Sequence, residues 1–222
     1  MKRFACFVLT LFIGLSAMAE TPPNTLTPEE KEAGFQLLFD GKELSPDIWQ
    51  GDLAGYPVKD GVITCRGKNI LTKEEFGDFI FRCEVKFPPG GNNGISVRGF
   101  EVQLLDHHHP KYKDLKVYQF NGSVYGVVPS KRVPEKNDYL LPVGEWNRYE
   151  VTIVGTKIKV ILNGEAIVDA DLKDYHDKPT LIETLSGGAH PKGIYRLTGN
   201  VGFLGHSDPV EFRNIRIKRI DK

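Results

Sequence analysis

The run Glu101-Val102-Gln103-Leu104-Leu105-Asp106 holds two acids and an amide among apolar residues. Just upstream lies Asn92-Asn93-Gly94-Ile95-Ser96-Val97-Arg98. Side chains on a strand alternate faces, so Glu101 and Gln103 share one face while Val102 and Leu104 share the other. By the same period Ser96 and Arg98 oppose Ile95 and Val97. Ser, Arg, Glu and Gln supply the planar donors and acceptors that sugar hydroxyls need. A solvated antiparallel sheet shows the same alternation, so the pattern alone leaves both readings open. For proton transfer the candidates are Glu101, Asp106 and the histidines. His206 sits in Gly205-His206-Ser207-Asp208-Pro209, a turn in which a His beside an Asp could act as general acid or base. A surface His bonded to its own turn is the alternative.

Other chemistries find less support. His107-His108-His109 is a metal-like tract, but adjacent side chains point apart, so one ion could hardly take all three. No HExxH, CxxC or EF-hand spacing occurs, so no cofactor is called for, and metal dependence stays open. The absence of G-x-S-x-G argues against an esterase. Trp49, Trp146 and Tyr125 are the aromatic candidates for sugar stacking. Trp146 precedes an alternating strand and reads as core, whereas Tyr125 stands among glycines. Lys157, Lys159, Arg216, Lys218 and Arg219 read as a solvated basic face. Cys65 and Cys83 form a candidate disulfide, with two buried thiols as the alternative.

These residues must be positioned by strands. Val62 to Cys65, Phe79 to Phe87, Ile95 to Arg98, Glu101 to Leu105, Arg148 to Val154, Lys157 to Leu162, Glu165 to Asp169, Asn200 to Leu204 and Val210 to Ile220 read as strands. Asn163-Gly164 between two of them is a strong hairpin signal. A short helix is expected from Pro28 towards Phe39, with Thr27 as N-cap and Glu30 completing a capping box. Many short strands without long helical periodicity indicate an all-β sandwich or barrel. Asp106 to Phe120 and Leu172 to Thr198 are too long for hairpin turns and suggest a functional rim.

The 222 residues balance 29 Lys+Arg against 29 Asp+Glu, which argues against nucleic acid as a partner. Met1-Lys2-Arg3, an apolar run from Phe4 to Ala17 and Ala17-Met18-Ala19 have the layout of a signal peptide over residues 1–19. Its removal would leave 27 basic against 29 acidic residues, no membrane anchor, and a periplasmic or secreted location. Residues 20–33 are then a flexible lead-in and residues 34–222 a single domain.

Several runs together resemble the bacterial 3-keto-disaccharide hydrolase family. They are Phe35-Gln36-Leu37-Leu38-Phe39-Asp40-Gly41, Gly91-Asn92-Asn93-Gly94-Ile95, Glu101 to Asp106, Tyr125-Gly126, Pro142 to Asn147, Leu162-Asn163-Gly164 and Gly202 to Ile215. The resemblance implies a concanavalin A-like jelly roll of two antiparallel sheets, with a concave face that holds an oligosaccharide or glycoside. It also implies cleavage of glycosides whose sugar is oxidised to a ketone at C3. Such a ketone acidifies the C2 proton, and the bond to the C1 oxygen can then break by elimination, followed by water addition. That route needs a base, an enolate stabiliser and an acid rather than paired carboxylates. His206, Glu101 and Asp106 are the expected catalytic residues, with His206 or Glu101 as base. Asn93, Arg98, Gln103, Tyr125 and Asp208 are the expected substrate-binding residues, Arg98 or Gln103 steadying the enolate. A carbohydrate-binding module and an ordinary β-glucanase on the same fold are the competing readings. Gly205-His206-Ser207-Asp208 departs from the Gln-Asp-His-Gly-Asp of many relatives.

Overall fold

The computed structural model describes residues 21–133, 138–176 and 194–220. The expected signal segment, Glu20 and residues 177–193 of the second long loop lie outside the described residues. Thr27 caps helix α1 (Pro28–Glu32) through the expected box: its Oγ1 accepts from Glu30 N while its own N–H donates to Glu30. Strands then follow: β1 (Gln36–Leu37), β2 (Trp49–Gly51), β3 (Val58–Lys59), β4 (Val62–Thr64), β5 (Ile70–Thr72), β6 (Phe79–Lys86), β7 (Asn92–Val97) and β8 (Phe100–Leu105). After the long loop come β9 (Trp146–Val154), β10 (Lys157–Leu162), β11 (Glu165–Asp171), α2 (Lys173–His176), β12 (Val201–Phe203) and β13 (Glu211–Arg219).

The strands form two antiparallel sheets, the all-β jelly-roll sandwich expected from the sequence. Sheet A runs β11-β10-β9-β6-β13-β4-β3, with β1 also on β13; sheet B runs β2-β5-β12-β7-β8. The core is the sum of the inward-facing alternate positions. Phe79, Phe81, Cys83 and Val85 of β6 are buried, while Ile80, Arg82, Glu84 and Lys86 face outward. From sheet B, Ile95, Val97, Val102, Leu104 and Phe203 close against them. Phe203 stacks on Phe212 at 4.0 Å, joining the two layers. Each such large side chain removed from water contributes roughly 1.5–3 kcal/mol.

The last strand fills the middle of sheet A. Phe212 is paired with Ile63 of β4 on one side and with Val85 of β6 on the other. This decides the candidate disulfide in favour of the alternative: Cys65 and Cys83 are both buried and free. Cys65 follows β4 directly and Cys83 lies on β6, so β13 separates them by two strand spacings, about 10 Å. A bridge needs Cα atoms within about 7 Å.

Two aromatic expectations reverse. Trp49 is fully buried, its indole N–H donating to Leu38 O at 2.7 Å. Trp146 lies on the outer face of sheet A under two cations, with Lys86 Nζ 4.8 Å and the Arg213 guanidinium 4.2 Å from the ring. The expected basic face is also not bare. Arg216 pairs with Glu30, and Arg219 with Glu74.

Candidate functional site

Sheet B presents a different face. Register places Gly202 opposite Ser96, and Ser96 opposite Glu101. The chain at Ser123–Tyr125 then adds to the free edge of β8. Gln103 N donates to Ser123 O and Tyr125 N donates to Glu101 O, each at 2.9 Å. Val102 and Val124 bridge on the core side, so Tyr125 takes the position across from Glu101. One row of the sheet therefore reads Gly202, Ser96, Glu101, Tyr125. The adjacent row carries Gly94 and Gln103.

Glu101 is the anomaly on this face. Its Oε1 is buried and finds no hydrogen-bond partner among the described residues. No cation pairs with it among the described residues. Desolvation alone pushes its pKa from the ordinary 4.5 up to about 7. Gly94 explains how the side chain fits. A Cβ on Gly94 would lie 2.3 Å from Glu101 Oε1, so the bare backbone is the bed on which the carboxyl rests. A group left uncompensated in this way costs stability, and such costs concentrate at functional sites.

Around Glu101 is a short polar chain. Asp208 Oδ2 accepts from Asn92 N at 3.0 Å, and Asn92 Oδ1 accepts from Gln103 Nε2 at 3.0 Å. Gln103 stands one step along the face from Glu101, about 7 Å away. The loop between β12 and β13 thus brings Asp208 to the site, with exposed His206 two residues before it. Tyr125 is half-buried, and its hydroxyl accepts from Gln119 Nε2 at 3.0 Å. Glu101, Gln103, Asp208 and Tyr125 are thus gathered around one face, with His206 at its rim.

Three expected site residues fall elsewhere. Asn93 is fully buried on the core side, Oδ1 accepting from Gly94 N, because it shares the parity of Ile95 and Val97. Asn92 holds the position on the polar face that Asn93 was expected to hold. Nothing but strand parity was needed to find it. Arg98 turns at the end of β7 with φ +49°. Its guanidinium donates to Leu197 O at 2.9 Å and to Gly155 O at 2.7 Å, clamping two loops. Burial pulls its pKa down to about 10, which still leaves it charged. Asp106 has the opposite parity to Glu101, and its Oδ2 accepts from Gly90 N at 2.7 Å. It holds the Pro88–Gly91 turn rather than a reacting proton.

His107, His108 and Asp138 bring ligand atoms within 4.8 Å of one another. The chemistry of the donors does not suit a cation. His107 Nδ1 accepts from Asn121 N at 3.3 Å, and Nε2 lies 3.1 Å from Asp138 Oδ2. Arg132 already neutralises that carboxylate at 2.7 Å. Burial, ahead of its neighbours' charges, lowers the His107 pKa to about 4. The neutral ring is a clasp for the long loop.

Comparison with known proteins adds a family. Residues 34–218 match the 3-keto-alpha-glucoside-1,2-lyase-like domain. A 3-keto-disaccharide hydrolase from Bacteroides thetaiotaomicron is 26% identical over 85% of this chain and 79% of its own. Among solved structures, a proposed glycosyl hydrolase from Parabacteroides distasonis superimposes with a TM-score of 0.74 at 26% identity, covering 90% of this chain and all of the other. A second one from that organism gives 0.69 at 25% identity, covering 84% of this chain and 99% of its own.

Proposed function

The chain belongs to the 3-keto-alpha-glucoside-1,2-lyase-like domain family, and from that premise we propose that it cleaves 3-keto-glycosides by elimination and hydration. The observation that carries this reading is the isolated Glu101. A base for a C2 proton works best when its pKa lies near the operating pH, and burial has tuned this carboxyl to about 7. His206, the other candidate base, is exposed and suits a contact at the mouth of the site.

Glu101 as carboxylate takes the C2 proton. The electron pair left on C2 forms the C2–C3 double bond, and the charge moves to the C3 oxygen. Gln103 and the face around it offer hydrogen-bond donors to that oxygen. The enolate then expels the C1 oxygen. Ordinary glycosidases need two carboxyl groups flanking the bond. On the Glu101 face of β8 the residue two along is Gln103, and the Asp106 carboxylate is committed to Gly90. With no partner acid on the strand, and with the nearby Asp208 carboxylate already held by Asn92 N, elimination is favoured over the glucanase reading.

We also infer a secreted or periplasmic protein, from the basic start, apolar run and small-residue site of residues 1–19. Matched glucosides and 3-keto-glucosides test the activity. Release of aglycone from the keto form alone is the expected result. Binding without release would overturn it in favour of a binding module. Cleavage of the unoxidised sugar would overturn it in favour of a glucanase.

A further inference from the structure

Elimination needs a proton for the departing oxygen, and the reading above leaves that donor unassigned. We propose that Tyr125 supplies it, working with Glu101 across one rung of sheet B. The assignment rests on the proposed reaction. Three observations bring Tyr125 to this role. The Tyr125 N–H bonds to Glu101 O, which fixes it as the cross-strand neighbour of the carboxyl. Cross-strand neighbours have Cβ atoms about 5 Å apart, so the two side chains rise from one rung of the same face. The phenol oxygen is already an acceptor, from Gln119 Nε2. Its own proton is therefore free to be given to a ligand. Gln119 is itself held, its Oε1 accepting from Lys116 N at 2.8 Å, and the Tyr118 ring stands edge-on to Tyr125 at 6.4 Å. The hydroxyl is thus presented rigidly rather than carried on a mobile side chain.

The proton balance closes. The Glu101 carboxylate takes the C2 proton, the C1–O bond breaks, and the leaving oxygen takes the Tyr125 proton. The products are a 1,2-unsaturated 3-ketosugar, the alcohol, a neutral Glu101 and a Tyr125 phenolate. Water then adds its oxygen to C1 and gives a proton to the phenolate. Glu101 returns its proton to C2. Both residues are restored, and the net change is hydrolysis.

The test uses methyl and 4-nitrophenyl 3-keto-α-glucosides with the full chain and two variants. A poor leaving group needs the acid, and a good one does not. Tyr125→Phe is expected to slow the methyl substrate ~10²-fold or more and to leave the nitrophenyl substrate within a few-fold of wild type. Glu101→Gln is expected to slow both. Equal losses on the two substrates in Tyr125→Phe, or no loss on either, would overturn the donor assignment while leaving the reaction standing. Wild-type inactivity on both substrates would overturn the reaction itself, and the assignment with it.

Discussion

The outward faces of sheets A and B carry the same alternating pattern but treat their carboxylates in opposite ways. On sheet A, Glu84 lies 2.7 Å from Arg213, Glu150 lies 2.7 Å from Arg82, and Glu30 from α1 pairs with both Arg82 and Arg216. Every one of these charges is answered at a partly exposed surface, and such pairs are worth roughly 0–1 kcal/mol each. On sheet B, Glu101 has no answering charge among the described residues, and its Oε1 is buried. The shift from 4.5 to about 7 corresponds to about 3 kcal/mol set against its ionised form. A cleft of about 640 Å³ over sheet A, lined by Arg82, Arg148 and Glu150, thus coincides with satisfied chemistry. The unsatisfied group lies on the other sheet. An unpaired carboxyl, more than a polar face or a hollow, separates a reactive surface from a solvated one.

The sharpest break of this contrast is a matched pair of substitutions. Glu101→Gln should lower kcat on a 3-keto-glucoside by ~10³-fold, the middle of the range for a general base. Glu84→Gln or Glu150→Gln should stay within about twofold of wild type, given the small worth of such pairs. Comparable losses at Glu101 and Glu84 would remove the distinction. Next in size is Gly94→Ala. Its methyl would displace the Glu101 carboxyl, and kcat should fall ~10-fold or more while the melting temperature changes little. An unaltered kcat would show that the bed at Gly94 is dispensable.

The pH dependence follows in order. A base that must be ionised gives kcat/KM rising with pH and levelling above about 7 in wild type and in Glu84→Gln alike. A level profile between pH 5 and 8 would exclude Glu101 as the base. The smallest effect is on stability. The folded pKa of Glu101 is raised, so the protonated carboxyl is the comfortable form. Its contribution is whole below 4.5 and is lost as pH rises through about 7. Glu101→Gln should therefore raise the melting temperature at pH 8 more than at pH 4. His107 runs the other way. Its folded pKa is lowered, so its contribution is whole above 6.5 and is lost as pH falls through about 4. Acid should loosen the loop it clasps, read as faster hydrogen exchange around Asn121, whose N–H bonds to its ring.

Much of the scaffold was legible because period two is a strong signal. β6, β8, the β10–β11 hairpin at Asn163-Gly164 and the cap at Thr27 lie where the sequence put them. Of the two- and three-residue strands, β4 and β12 were foreseen from longer apolar runs, while β1, β2, β3 and β5 were not, since so few residues display no period. The site was legible in part. Parity gave Glu101 and Gln103 their shared face, and the same rule, applied to Asn93, would have given Asn92. Arg98 was misread because its positive φ at the turn breaks the alternation that had placed it beside Ser96. The disulfide and the two tryptophans depended on which strands become neighbours, and local pattern carries no such information. Nor could it reveal that Glu101 would lack a partner, because that depends on every element around it.

The place of β13 reaches beyond the site to how the molecule comes into being. β4 and β6 are made early, yet the slot between them stays empty until residues 211–219 leave the ribosome. The clasp of Asn24 with Asn214, each side-chain oxygen accepting the other's backbone N–H, joins positions 190 residues apart. Sheet A therefore cannot close until its last strand has been made. Removing residues 211–219 would not trim an edge; it would part the sheet along its middle.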